Sequence, residues 1–260
     1  MVTIQKSGNL VPFIFMGCWN RNDTPRNNVT DSIRRNKIKN VVLGGDNVYH
    51  PGKPYKPFKE RLEILFDGIH RLRGKEIYTA LGNHDVDDML QVQLSLKEWI
   101  IPDRYYCIDF KDYSLVVIDS NITDNHMPKW LLEKVNELQN TNKKYFYVQH
   151  HPFSTCQHKA KKVDQYILPL LDILSTYPPI SILCAHCHNY QNGTLHVNGV
   201  TIQQFIVGTG GGNLRSAIST HTSNIMYTVN EYIESYGYLE VTSDKYKFIK
   251  LNYNEQINGQ

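Results

Sequence analysis

The sequence predicts a mixed α/β protein, and three observations predict it. Short unbroken apolar runs recur along the chain, each stopping at glycine or at a small group of polar residues. Segments with apolar residues at helical spacing lie between them. The C-terminal part is β again, where Asn198-Gly199 splits the stretch from Gly193 to Val207 into a hairpin.

Taken in order, Val11 to Met16 is a buried strand capped by Gly17 and running into Cys18-Trp19-Asn20. Thr24-Pro25 opens a helix with Val29, Ile33 and Ile38 on its inner side. The run from Val41 to Tyr49 reads as a strand that ends in Gly44-Gly45 and delivers Asp46 to the carboxyl edge of a sheet, where open α/β sheets bind ligands. By itself that stretch reads more simply as a strand, a glycine turn and a helix cap, and the later motifs reverse this. A Pro-rich loop from Pro51 to Pro57 precedes a helix with Leu62, Leu65, Phe66 and Ile69 inward. Glu76 to Leu81 is a third strand, ending at Gly82-Asn83-His84-Asp85, and Met89 to Ile100 reads as a helix stopped by Pro102. Tyr105 to Phe110 and Tyr113 to Asp119 form an antiparallel pair, followed by an amphipathic helix from Pro128 to Leu138. Lys144 to Gln149 is a strand ending at His150-His151-Pro152, with a helix from Val163 to Leu174 behind it. Ile180 to Cys184 ends at Ala185-His186-Cys187-His188. Gly237 to Val241 pairs with Tyr246 to Leu251, and Gly208 to Tyr236 reads as a long loop, either a substrate loop or a plain insertion.

The 260 residues carry no composition shift, so residues 1–260 are expected to form one domain. A net charge of +3 with scattered lysines and arginines gives no nucleic-acid signal. Met1 to Leu10 lacks an apolar run and no later span has membrane length, so a soluble, cytoplasmic protein is expected, with no membrane partner. The five cysteines suit reduced thiols, and the glycosylation patterns at Asn28, Asn121 and Asn192 are then idle. Nothing in the sequence sets the oligomeric state.

Five strands thus stop at metal-binding residue types: Cys18 with Asn20, Asp46 with Tyr49, Asn83 with His84, His150, and His186 with His188. Folding gains nothing from gathering imidazoles and carboxylates. Two metal ions need about eight to twelve donor atoms, and one carboxylate can bridge them at roughly 3.5 to 4 Å. Asp46 is the natural bridge, and a turn after Ala185 can aim His186 and His188 at different ions.

In these motifs the chain resembles the calcineurin-type metallophosphoesterases, and among them the small purple acid phosphatases of the tartrate-resistant type. The matching stretches are Gly45-Asp46-Asn47-Val48-Tyr49, Gly82-Asn83-His84-Asp85, His150-His151-Pro152 and Ala185-His186-Cys187-His188, with further likeness at Trp99 to Pro102 and from Gly208. The resemblance spans about Phe13 to Val241. It implies a four-layer α/β/β/α sandwich and metal-dependent hydrolysis of phosphate monoesters, with a small phosphate ester or phosphoprotein as substrate. It implies two metal ions (Fe, Zn or Mn), with Asp46 bridging, Tyr49 and His188 completing the first site, and Asn83, His150 and His186 completing the second. His84 would face the leaving group, and His158 falls near a second substrate-facing histidine, where it is equally a surface residue.

Three departures stand out. Cys18 replaces a metal-binding aspartate, Ala185 a glycine and His151 an aromatic residue. A thiolate binds metals once deprotonated, so Cys18 is either a soft ligand favouring zinc or ferrous iron, or a small core residue beside a weak first site. Asn20 is a spare oxygen donor nearby. Asp85 either orients His84 or caps a helix. Diester or nucleotide-anhydride hydrolysis is an alternative within the same chemistry, and a catalytically impaired metal- or phosphate-binding protein is an alternative outside it. Cys184 and Cys187 form a Cys-x-x-Cys pair, a weak redox or zinc signal, and Gly208 to Gly212 is a weak phosphate-loop signal.

Overall fold

A computed structural model describes residues 2–21, 23–49, 57–156, 164–217, 226–243 and 245–251. The elements follow in the order β1 (Val2–Gln5), β2 (Phe13–Met16), α1 (Thr24–Arg35), β3 (Asn40–Leu43), α2 (Phe58–Arg71), β4 (Glu76–Thr79), α3 (Leu90–Ser95), β5 (Tyr105–Asp109), β6 (Ser114–Ile118), α4 (His126–Asn140), β7 (Tyr145–Gln149), α5 (Asp164–Thr176), β8 (Ile182–Cys184), β9 (Tyr190–Val197), β10 (Val200–Val207), β11 (Met226–Ile233), β12 (Gly237–Val241) and β13 (Tyr246–Lys250).

The strands form an eight-stranded sheet, β1-β5-β6-β7-β8-β10-β9-β11, and a five-stranded sheet, β13-β12-β2-β3-β4. Successive strand residues face opposite sides of a sheet, and the large sheet uses this to fill two cores. Leu115, Val117, Phe146 and Val148 pack with Phe13, Phe15, Val41 and Val42 of the small sheet. Val116, Ile118, Tyr145 and Tyr147 turn the other way, onto Trp130, Leu131, Leu170 and Leu171 of α4 and α5. Val29 and Ile33 of α1 and Ile64 and Leu65 of α2 cover the small sheet. The result is the expected α/β/β/α layering. β2, β3 and β4 are parallel, as are β7 and β8, so their carboxyl ends gather along one rim.

Several boundaries differ from the expected ones for local reasons. β2 begins at Phe13 instead of Val11 because Pro12 has no N–H for the ladder, and the Val11 amide goes instead to the Asp112 carboxylate. The helix expected from Met89 to Ile100 stops at Ser95. The chain then turns extended, Ile100 pairs with Tyr78 beside β4, and Trp99 Nε1 donates to Gln93 O at 2.9 Å. The long loop from Gly208 contains β11, which closes the edge of the large sheet against β9. β1 escapes the sequence pattern because its apolar residues are only Val2 and Ile4, yet it pairs in parallel with β5. Asp23 caps α1 by accepting from Arg26 N, with Pro25 in the first turn. Among the described residues, no helix is long and apolar enough to cross a membrane.

Candidate metal centre

At the shared rim the strand ladders run on briefly and then break in the same way. Gly44 N donates to Met16 O, Ala80 N to Leu43 O and Ala185 N to His150 O. Immediately beyond, Cys18, Asp46 and His186 take left-handed backbone, with φ of 51°, 55° and 61°. Such a conformation costs a non-glycine residue on the order of 1–3 kcal/mol and collects at functional sites. Glycine makes the Asp46 turn possible: a Cβ on Gly82 would lie 2.3 Å from Asp46 Oδ1 and 2.4 Å from Asp46 N.

The turns bring the predicted residues together in two groups. Ligand atoms of Cys18, Asp46 and His188 lie within 4.8 Å of one another, and so do those of His150, His151 and His186. Asp46 lies between them: Oδ2 is 3.7 Å from Cys18 Sγ, and Oδ1 is 3.4 Å from His150 Nε2. Tyr49 Oη is 3.0 Å from His188 Nε2, beside the first group. Asn83 Oδ1 is 3.0 Å from His186 Nδ1, which is itself 3.3 Å from His150 Nε2, beside the second. Carbonyl acceptors fix two tautomers, because His150 Nδ1–H donates to Gly44 O at 2.7 Å and His188 Nδ1–H to Asn213 O at 2.7 Å. In both rings Nε2 is then the nitrogen turned inward, toward the donor cluster. The His84 backbone N–H holds Asp46 Oδ1 at 3.1 Å, and its ring lies 4.9 Å from that of Tyr49. His158 lies outside the described residues.

Charge is concentrated and shielded from water here. Burial and the Asp46 charge push the Cys18 thiol well above its ordinary value, and the same two causes raise the Tyr49 phenol. Burial opposes ionisation of Asp46, yet the neighbouring His150 and His84 outweigh it and hold the carboxyl below its usual range. Burial and His150 bring His151 down to about 3, so its ring is neutral. A buried thiol, phenol and carboxylate converging with inward imidazole lone pairs form a donor set that a cation satisfies, since coordination deprotonates a thiol outright. The residues present therefore fit a metal pair.

Other residues hold the turns. The Asp85 carboxylate accepts from the backbone amides of Gly82 (2.7 Å), Asn47 (2.9 Å) and Val48 (3.3 Å) and from Gln93 Nε2 (3.2 Å). Beyond the two roles expected for it, it ties the Asp46 turn to the Asn83 turn. Burial and Asp46 push its carboxyl up, and those N–H donors oppose the shift. The Asn47 amide links Trp19, Thr79, Ala80 and Gln93. Asn20 is corrected from spare donor to scaffold, since its Oδ1 accepts from Arg26 Nη1 and its Nδ2 donates to Ile64 O. The glycines from Gly208 serve the same frame. Gly212 N donates to Cys18 O at 2.7 Å, and a Cβ on Gly212 would lie 2.7 Å from the His188 ring. Ala185 fits in place of a glycine because it faces Gly17, where a Cβ would come within 2.4 Å of its methyl. Cys184 and Cys187 are buried and not joined in a disulfide, and Cys187 Sγ lies 3.3 Å from Thr155 Oγ1.

Sequence reading missed Asn47, Gln93, Ser120 and the position of His151. Asn47 and His151 stood inside recognised motifs, whereas Gln93 and Ser120 carried no signal because neither lies in one.

Two sheets back to back with a donor cluster along their rim are the arrangement expected of a metallophosphoesterase. The profile of the calcineurin-like phosphoesterase family matches residues 11–222, and the chain belongs to that family. Among curated proteins, none matches the sequence. Similar solved structures include a purple acid phosphatase from yellow lupin seeds, with a TM-score of 0.75 at 13% identity over 94% of this chain and 52% of that one. GAP50, described as the anchor in the inner membrane complex of Plasmodium, gives 0.65 at 15% identity over 94% and 86%. A dimetal phosphatase from Danio rerio gives 0.58 at 11% over 94% and 99%. At such identities the likeness is one of fold.

Proposed function

We propose that this chain hydrolyses phosphate monoesters at a dinuclear metal site, in the manner of the small purple acid phosphatases but with an altered first position. The observation that carries the reading is the placement of Asp46, whose two carboxylate oxygens face different donor groups. Cys18, Tyr49 and His188 would hold the first ion with Asp46, and Asn83, His150 and His186 would hold the second. Iron, zinc or manganese suits such donors, and Cys18 shifts the preference toward zinc or ferrous iron. When bound, the ions supply Lewis acidity and a water of lowered pKa. The chain's own residues do the rest. Asn47 and Asp85 keep the donor turns in register, burial excludes bulk water from Cys18 and Asp46, and half-buried His84 gives its proton to the leaving oxygen. A small phosphate ester or a phosphoprotein side chain is the substrate class.

One observation favours a second reading, a metal- or phosphate-binding protein with little turnover. Cys18 is fully buried with its thiol toward Asp46, where the pattern it resembles has a carboxylate. Elemental analysis together with turnover of an aryl phosphate monoester and its diester separates the readings. Two ions per chain with faster monoester hydrolysis is the expected result. Faster diester cleavage changes the substrate class, and bound metal without turnover supports the second reading.

A further inference from the structure

His151 lies just past β7 and is 6% exposed, in a place where a side chain is ordinarily apolar. An imidazole there needs partners for both ring nitrogens. Its Nδ1 is 2.9 Å from Ser120 Oγ, which also accepts the His151 backbone N–H at 3.1 Å. That leaves Nε2 as the nitrogen for coordination. The ring centroid is 4.5 Å from that of His186 and 5.0 Å from that of His150, and ligand atoms of all three lie within 4.8 Å of one another. Zinc–imidazole bonds are about 2.0–2.1 Å, so nitrogens this close can share an ion after small side-chain adjustment. The anchoring also repeats. His150 and His188 each have Nδ1 fixed on an oxygen of the scaffold, the way metal-ligating histidines are generally held.

We propose that His151 is a third imidazole donor at the second metal position, beside His150 and His186, with its ring oriented by Ser120. This rests on the dinuclear reading above and adds to it. The two departures, Cys18 at one position and His151 at the other, then act in one direction. Each replaces or supplements hard oxygen donors with softer ones, and the pair as a whole is tuned toward zinc.

The test uses full-length protein with nitrogen-labelled histidine, stripped and reloaded with a spin-active cadmium isotope. Four imidazoles with cadmium-split ring nitrogens are expected, from His150, His151, His186 and His188. His151→Phe should remove one of them and lower zinc affinity at one position by at least about 10-fold, while Ser120→Ala should weaken the same position less. Three split imidazoles in the wild type, unchanged in His151→Phe, would overturn the assignment of His151 alone. No split imidazole at all would overturn the dinuclear reading with it. If His151→Phe fails to fold, the wild-type count decides by itself.

Discussion

The two sheets contribute different chemistry to one rim. The small sheet supplies a thiol, a carboxylate, a phenol and an amide through the turns after β2, β3 and β4, whereas the large sheet supplies only imidazoles after β7 and β8. They are also held differently. Cys18 and Asp46 are aimed by left-handed backbone, a conformation shared in the large sheet by His186, and Cys18 N is tied to Gly45 O at 2.9 Å. His150 and His188 are aimed through their own rings, by Nδ1 bonds to carbonyls. The small sheet therefore supplies the anionic oxygen and sulfur groups of the site, and the large sheet its imidazole nitrogens. Cations need both, since anionic donors supply attraction and neutral donors complete the coordination without excess charge.

The sharpest way to break this division is to remove one donor from each side of the same position. Asn83→Ala and His186→Ala should each empty the second position and abolish hydrolysis, read by elemental analysis and turnover. A variant with full metal and full activity would contradict the assignment. His84→Ala should keep both ions and lower turnover by about 10² to 10⁴, the usual worth of a general acid. Metal loss in that variant would make His84 a ligand and move a further imidazole to the small-sheet side.

Scaffold variants test the difference in how donors are held. Asp85→Ala strips the shared acceptor from three backbone amides and should lower stability by about 3 kcal/mol or more in chemical denaturation of metal-free protein. Little change there would mean that the small-sheet turns hold themselves.

Substitutions at Cys18 have the smallest expected effect and ask what the thiol is for. Protein purified with iron should be pale, because a soft first position disfavours the ferric ion whose bond to Tyr49 would give colour. Cys18→Asp should raise affinity for hard ions and, where that position limits the rate, turnover. Cys18→Ser should weaken the position. Identical metal content and turnover in all three, measured under reducing conditions, would make Cys18 a packing residue.

Most of the architecture was legible because strand ends carry their own punctuation. An apolar run followed by glycine and a polar cluster names both the element and its functional edge, as at Val41 to Tyr49. The failures lay where a long-range partner overrides local pattern. Residues beyond Ser95 leave the helix because β4 offers an edge to Ile100, and β11 forms from a polar stretch because β9 is there to receive it. Asn20 read as a donor because its type suits a metal, and only the packing of α1 and α2 committed its amide to Arg26 and Ile64.

The sequence by itself determined which residue types could bind metal and that each lay directly after a strand, since covalent order and two-residue periodicity are local properties. It also pointed to the family, through the order of its strand-end motifs, and the family profile over residues 11–222 agrees. Tertiary structure alone decided which donors share a neighbourhood, because residues as distant in the chain as Asp46, His150 and His188 meet only when two sheets stack with their carboxyl ends aligned. It decided the direction of the ring nitrogens as well, for carbonyls set the tautomers of His150 and His188 and a hydroxyl orients His151, and those partners, Gly44 O, Asn213 O and Ser120 Oγ, come from elsewhere in the chain.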